Sequence, residues 1–453
     1  MDMKYTCIVL LVCINIFAYG QKKWSLKDCI QYAQKSNIDL LKIRADNNKF
    51  AEDIDIAKGN SLPDLSFNAL QGFNLGSNFN VSTGVGQLGS RYNSFSLQSS
   101  WLVYSGHSTR YKLQEAQLSY KKAQADASSL ALNISLEVIN QYLNVLFNKE
   151  ILAIAQQQEK ISTQEEKRLN RLLEQALIPR SDLLELQATV ANDRKEVEIA
   201  RNNLKTSLIQ LAELIDVNHI ADFNIQSLNI KNSEAFVLID RPEAIYQSAL
   251  DRNPYVRSAE LDMALGELSI LREKAQYYPS LYLTYSFSTS YYHVNGTDDV
   301  VFNQETGDFE KNGFLTQLNN NKIHFIGLSL GVPIFNRFQT KANVKKAAIG
   351  LEVNQLELRN QKNQLLNKIR IAYNDAVSAK AVFRAAEERL SYQRAAFQGV
   401  QRKFQDGLIS SYEFLESKSN YIKAQSDLLV AKYECFFKLK ILEYYKDFGL
   451  NPN

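Results

Sequence analysis

Apolar and polar residues alternate in four short stretches and recur every third or fourth position through most of the remaining chain. In LSFNALQGF (65–73), Leu65, Phe67, Ala69 and Phe73 are apolar, whereas Ser66, Asn68 and Gly72 are not. In FSLQSSWLV (95–103), Phe95, Leu97, Trp101 and Val103 alternate with Ser96, Gln98 and Ser100. Leu281, Leu283, Tyr285 and Phe287, and then Ile326, Leu328, Leu330 and Val332, repeat the pattern against Thr284, Ser286, Ser288, Phe325, Gly327, Ser329 and Gly331. A period of two predicts strands with one apolar face. The small polar residues opposite suit a wet surface. Elsewhere the period is helical. Residues 108–175 contain no Gly or Pro, so a helix there would approach ~100 Å at 1.5 Å per residue. Leu132, Leu136, Ile139, Leu143 and Leu146 keep a three/four spacing within it. Leu183, Val190, Val197, Leu204 and Leu211 recur every seven residues, as do Phe414, Tyr421, Leu428, Cys435 and Leu442. A sustained heptad predicts coiled-coil packing.

The elements occur twice. YAQKSNIDL (32–40) matches SALDRNPYV (248–256), with Asn37 against Asn253 and, at the same offset, Pro63 against Pro279. Beyond these the offset rises from 216 to 231: SWLVYSG (100–106) faces GVPIFNR (331–337), and Tyr142 faces Tyr373. The second copy therefore carries one insertion, placed in the polar stretch 294–322, whose NGTDD, ETGD and LNNNK suit an exposed loop. The expected organisation is a repeat over 21–236 and another over 237–453. The first has a helix, a β-hairpin at 64–103, a long coiled-coil hairpin with its tip near 176–182, and a connecting segment. The second has a helix, a β-hairpin at 280–332, and a coiled-coil hairpin with its tip near 407–413. The first helix of each copy is expected from about Leu26 to Gly59 and from about Pro242 to Tyr277, with a proline ending each. GVGQLG (84–89) has dinucleotide-fingerprint spacing, but it separates two strands instead of opening a helix after one, so it is a loop.

Composition adds a location. A charged start (MDMK), the apolar run YTCIVLLVCINIFA and small residues before QKKW form a secretory leader over 1–20, cut after Gly20. Cys13 follows Val12, which disfavours a lipoprotein site. The leader's apolar run is too short to span a bilayer, which takes ~20 residues. Later apolar runs also fall short, so an exported chain that enters a membrane must do so as a β-barrel. Cys29 and Cys435 alone remain after cleavage, no disulfide framework for a chain of 453 residues. Lys and Arg (52) nearly balance Asp and Glu (49), which gives no reason to expect a nucleic-acid partner. The histidines, His107, His219, His293 and His324, have no ligand spacing, and no phosphate-binding loop is present. No enzyme, cofactor or metal is expected.

Four strands cannot close a membrane barrel, since known ones begin at about eight, and an open edge is not tolerated in lipid. Several chains must pool their strands. The duplicated order of helix, hairpin and long helix resembles the TolC family of outer-membrane efflux and secretion ducts. So do PDL (63–65), PSL (279–281), VPIFNR (332–337) and KFQDGLISSYEFLESKSNYIKAQSDLLVAKYE (403–434). The resemblance implies a mixed α and β membrane protein: a homotrimer with a 12-stranded barrel in outer-membrane lipid and a periplasmic α-helical tunnel closed at its tip. It also implies docking to a periplasmic adaptor and an inner-membrane pump. A structural coiled-coil envelope protein and a passive porin are the alternatives.

Two turns draw the remaining expectations. ALIPRSDLLE (176–185) and GLISSYEFLE (407–416) interrupt the helical pattern 231 residues apart, each with acids at its seventh and tenth positions. In the resembled family these are the periplasmic tips. The resemblance implies that Glu413 and Glu416 face the pore. Spaced i, i+3, they share a helix face and would stack as acidic rings that favour cations. For Asp182 and Glu185, attraction of early helix acids to the N-terminal dipole is the competing account. Gly407 suits a tight turn, and Pro179 stiffens the first. Pro179, Arg180, Asp182, Glu185, Phe404, Gly407 and Leu408 form the expected turn and adaptor-docking set. The family often carries a basic residue near Ile409 that holds the tip shut; here that position is apolar, and Arg180 offers the replacement.

Overall fold

The computed structural model describes residues 23–76, 78–80, 85–87, 89–217, 223–227 and 240–447, with the backbone alone at 78–80, 85–87 and 447. The expected leader, the 236/237 repeat boundary, His219, and Gly84 and Leu88 of GVGQLG lie outside these residues. In chain order the elements begin with β1 (Lys23–Trp24), α1 (Leu26–Ser36), α2 (Ile38–Gly59) and β2 (Ser66–Asn74). Next come β3 (Asn78–Asn80), β4 (Val85–Gln87), β5 (Ser90–Ser105), α3 (Ser108–Glu174), α4 (Arg180–Leu214) and β6 (Asn224–Ile225). The second half holds α5 (Pro242–Leu250), α6 (Pro254–Ala275), β7 (Ser280–Val294), β8 (Val300–Phe302), β9 (Phe309–Lys311), α7 (Phe314–Asn320), β10 (Ile323–Gly331), α8 (Gln339–Gln405) and α9 (Ser411–Asp447). The chain is mostly helical, with few strands.

Where periodicity predicts one helix from Leu26, the chain breaks at Asn37. Its backbone is extended at ψ 126°, and its Oδ1 accepts from the amides of Asp39 (3.0 Å) and Leu40 (3.3 Å), capping the next helix. Asn253 does the same for Tyr255 (2.9 Å) and Val256 (3.1 Å), with Pro254 opening α6. The prolines do not end the helices either. α2 and α6 stop at Gly59 and Ala275, and turns closed by Leu62 N to Gly59 O (2.9 Å) and Tyr278 N to Ala275 O (3.1 Å) lead to Pro63 and Pro279.

The chain divides into two compact units. One comprises residues 1–46, 124–259 and 357–453. Its largest core gathers Cys29, Leu40, Val138, Tyr142, Leu146, Leu211 and Ile225. The Tyr142 hydroxyl donates to the carbonyls of Trp24 (3.1 Å) and Gln226 (2.6 Å), tying the β1–β6 pair to α3. A second core joins Ile245, Val256, Leu365, Ile369 and Leu442. The other unit comprises residues 47–123 and 260–356. It is built on a four-stranded antiparallel sheet in the order β10-β7-β5-β2.

Candidate functional site

The sheet's register places the apolar alternates of all four strands on one face, because residues opposed across antiparallel strands share a face. Leu328 opposes Leu283, which opposes Trp101. Ile326 opposes Tyr285, and Phe67 opposes Leu97, which opposes Phe287. The reverse face carries Gly327 against Thr284 against Ser100, and Ser66 against Gln98 against Ser286. Phe67, Phe73, Ile326, Leu328 and Leu330 are exposed. Sequence alternation counts Val103 with the apolar set, but a bulge between Leu102 and Tyr104 shifts the phase by one, so Tyr104 opposes Leu281. β2 and β10 are the sheet's two edges. Among the described residues no helix is long and apolar enough to cross a membrane.

Both strand-to-helix exits, 231 residues apart, are made by two consecutive residues at positive φ: Gly106 (60°) with His107 (68°), and Arg337 (52°) with Phe338 (61°). Packing dictates glycine at the first, where a Cβ would lie 2.6 Å from Ala275 O and from Tyr278 Cβ.

The two tips are in the other unit, and their backbones match. α3 ends with Ala176 at φ 56° and α8 with Gly407 at φ 73°. Ala176 N donates to Leu173 O (2.8 Å) and Leu177 N to Leu172 O (2.9 Å); Gly407 N donates to Phe404 O (3.2 Å) and Leu408 N to Lys403 O (2.9 Å). These are paired Schellman motifs. They leave Leu177 and Leu408 exposed, while Ile178 and Ile409 pack on a buried cluster of Leu169, Leu183, Leu186, Phe397, Phe404 and Phe414. Phe404 and Phe414 stack with ring centroids 4.4 Å apart.

Helix starts differ. Pro179 precedes α4 with no side-chain cap, whereas Ser410 Oγ accepts from Glu413 N (3.3 Å) and donates to Glu413 Oε1 (3.4 Å). Asp182 and Glu413 each sit in a first helical turn. Glu185 and Glu416 follow one turn later and are exposed, as is Glu413. Between Glu413 and Glu416, Phe414 is buried, so both exposed carboxylates lie off the side of α9 that carries the aromatic stack. Pro179 and Arg180 are exposed, and Arg180 makes no ion pair among the described residues. The side chain that ties the tips is Arg168. Its guanidinium donates to Phe404 O (3.1 Å) and Gln405 O (3.4 Å), which are carbonyls at the end of α8, bonds Glu165 Oε2 (2.8 Å), and lies 4.7 Å over the Phe404 ring.

Farther along the same seam is a buried polar triad. Lys418 Nζ meets Asp193 Oδ2 at 2.5 Å, and both bond Ser162 Oγ. These three side chains join α9, α4 and α3. Asp193 occupies the stripe Leu186, Asp193, Ala200, and Lys418 falls one turn after Phe414, so each appears in sequence as a polar break in an apolar seam. Such breaks are the signal by which they could have been found. Ser162 and Arg168 carry no such mark. Among the described residues, no group of three His, Cys, Asp or Glu side chains could hold a metal ion.

The chain is 22% identical over 437 residues to outer membrane protein TolC of Escherichia coli, covering 94% of this chain and 83% of that protein. It is 24% identical over 343 residues to the alkaline protease secretion protein AprF of Pseudomonas aeruginosa, covering 73% and 66%. The Campylobacter jejuni CmeC outer membrane channel shares the fold at a TM-score of 0.75 and 17% identity, over 94% of this chain and 85% of that one. The pattern defining the outer membrane efflux protein family matches residues 29–216 and 245–435. With that match across both repeats, the chain belongs to the outer membrane efflux protein family and is an efflux or secretion channel of the Gram-negative outer membrane.

Proposed function

We propose that three copies pool their sheets into a 12-stranded barrel in outer-membrane lipid, and that the duct so formed is the passive exit of a tripartite efflux or type I secretion system. The observation that carries this is the sheet: one exposed apolar face, a reverse face where Ser, Thr, Gln and Gly alternate with Leu70, Tyr282, Ile323 and Phe325, and two edges, β2 and β10. In lipid, unpaired strand edges are too costly to persist, so edges must meet edges of other copies. Three copies is the number the resemblance implies. The helices would line the periplasmic tunnel, and the chain's lack of a nucleotide-binding loop assigns the energy to a partner pump. Of the expected docking set, Pro179, Arg180, Gly407 and Leu408 are exposed at the tips and offer a surface for a periplasmic adaptor, whereas Phe404 is buried in the aromatic cluster and is not available to it.

At the tips, three copies of Glu413 and Glu416 would form stacked acidic rings at the constriction. Their exposure on one side of α9 supports this, and Glu416 has no bonding partner among the described residues. Asp182 and Glu185 would brace the neighbouring hairpin. The test is the mass of the detergent-extracted oligomer together with planar-bilayer conductance. A trimer that conducts in discrete steps is expected; release from membranes by salt alone, or a non-conducting monomer, overturns the reading.

A further inference from the structure

The β10-to-α8 exit differs from its sister in what it exposes. The apolar row Ile326, Leu328, Leu330 runs past the end of β10 through Val332 to Ile334, which is 95% exposed. Phe335 and Phe338 follow, both exposed, with rings packed edge to face at 5.5 Å. Immediately after this row the chain carries Arg337, Lys341, Lys345 and Lys346, and no acid occurs from Val332 to Gly350. All four cations are exposed, and none makes an ion pair among the described residues. Arg337 also stands at φ 52°, a conformation L side chains rarely adopt, at the place where the sister exit has Gly106. A Cβ is excluded at Gly106 by its neighbours, whereas Arg337 is open to solvent. The chain keeps a cation there against backbone preference, and an outlier of that kind is a pointer to function.

We propose that this exit is a lipid anchor. Val332, Ile334, Phe335 and Phe338 insert at the margin of the acyl region, and Arg337, Lys341 and Lys345 bind the phosphates of anionic glycerophospholipids in the leaflet where strands give way to helices. The inference rests on the barrel reading above, because the apolar row must face lipid for its continuation to do so. Aromatic rings at the headgroup level with cations just beyond are the composition that an interface selects. Clustered cations without acids select anionic headgroups over zwitterionic ones. The sister exit has only two exposed cations nearby, Arg110 and Lys112, its Glu115 is taken by Arg272 at 2.7 Å, and its Gly106 is buried, so the fuller basic row belongs to the second repeat.

The experiment uses the full-length oligomer in nanodiscs of mixed phosphatidylglycerol and phosphatidylcholine, with one lipid or the other brominated. A Phe335→Trp reporter is read after subtraction of the parent's quenching, and Trp101 on the apolar sheet face serves as the internal lipid-facing control. Quenching of the reporter by brominated phosphatidylglycerol is expected to exceed that by phosphatidylcholine by at least about fivefold. The ratio should fall to about one when Arg337→Gln, Lys341→Gln and Lys345→Gln are added, with Trp101 quenching unchanged. Equal quenching by the two lipids with the cations intact overturns the headgroup assignment. No quenching of the reporter while Trp101 is quenched overturns the anchor and points to a neighbouring copy covering the exit. Absence of quenching at Trp101 as well overturns the barrel reading itself.

Discussion

Removing one member of the Lys418–Asp193 pair should loosen the coiled-coil seam far more than removing both. The side chains are 3% and 11% exposed, and the charged atoms lie 2.5 Å apart, with Ser162 Oγ as the shared third partner. Lys418→Met leaves a buried carboxylate facing a single hydroxyl, and breaking a buried pair in this way costs about 3–5 kcal/mol. Lys418→Met with Asp193→Leu leaves no buried charge, and such apolar replacements are neutral to stabilising. Hydrogen exchange of backbone amides in α4 around Val190 and in α9 around Tyr421 reads the local opening in the assembled protein. At tenfold per 1.36 kcal/mol, the single variant should accelerate exchange roughly 150- to 5,000-fold, and the double variant should return near the parent rate. If either single variant changes exchange by less than about fivefold, or the double variant is as fast as the product of the singles, the pair does not constrain the seam.

Four further outcomes are expected. Glu413→Ala with Glu416→Ala should lower the cation-over-anion permeability ratio of single channels several-fold, and Asp182→Ala with Glu185→Ala should lower it less; an unchanged ratio and unchanged block by multivalent cations would remove the ring. Arg168→Met deletes the guanidinium bonds to Phe404 O and Gln405 O, about 1.5–3 kcal/mol for charged donors, so tryptic cleavage after Arg402 and Lys403 should speed up at least about tenfold. Ala176→Gly relieves a left-handed alanine, worth about 1 kcal/mol, and should slow amide exchange at the first tip about fivefold. Burial pushes the Cys435 thiol up to about 11, against a smaller lowering by Lys380, so maleimide should label it negligibly at pH 8 in the native protein, with reactivity rising as pH approaches that value.

The alternation and the heptads were legible because each follows from one residue's position in a local repeat. The sequence therefore determined four amphipathic strands, two long helices per half, and a duplicated order that identified the family resemblance. It also placed the two turns, since an acid pair recurring 231 residues later in the same helical context needs no contact map to find. Local hydrogen bonding decided what periodicity could not. Asn37 and Asn253 cap new helices inside an unbroken apolar pattern, and the extra residue at Val103 flips the strand phase.

Pairing across the chain lay further from reach. Register between β5 and β7 sets both hairpins' apolar residues on one face, and that register joins the two repeats. Likewise, the stripes predict that α4 and α9 bury a seam, but not that Asp193 meets Lys418 there, or that Arg168 closes the end of α8. Such contacts join residues more than two hundred positions apart. Their partners are chosen by which helix faces pack, a choice the residues on any one helix do not encode. The sequence by itself determined the repeating elements and their order; the tertiary structure decided which faces meet, because only packing tells a buried charge where its counter-charge will be.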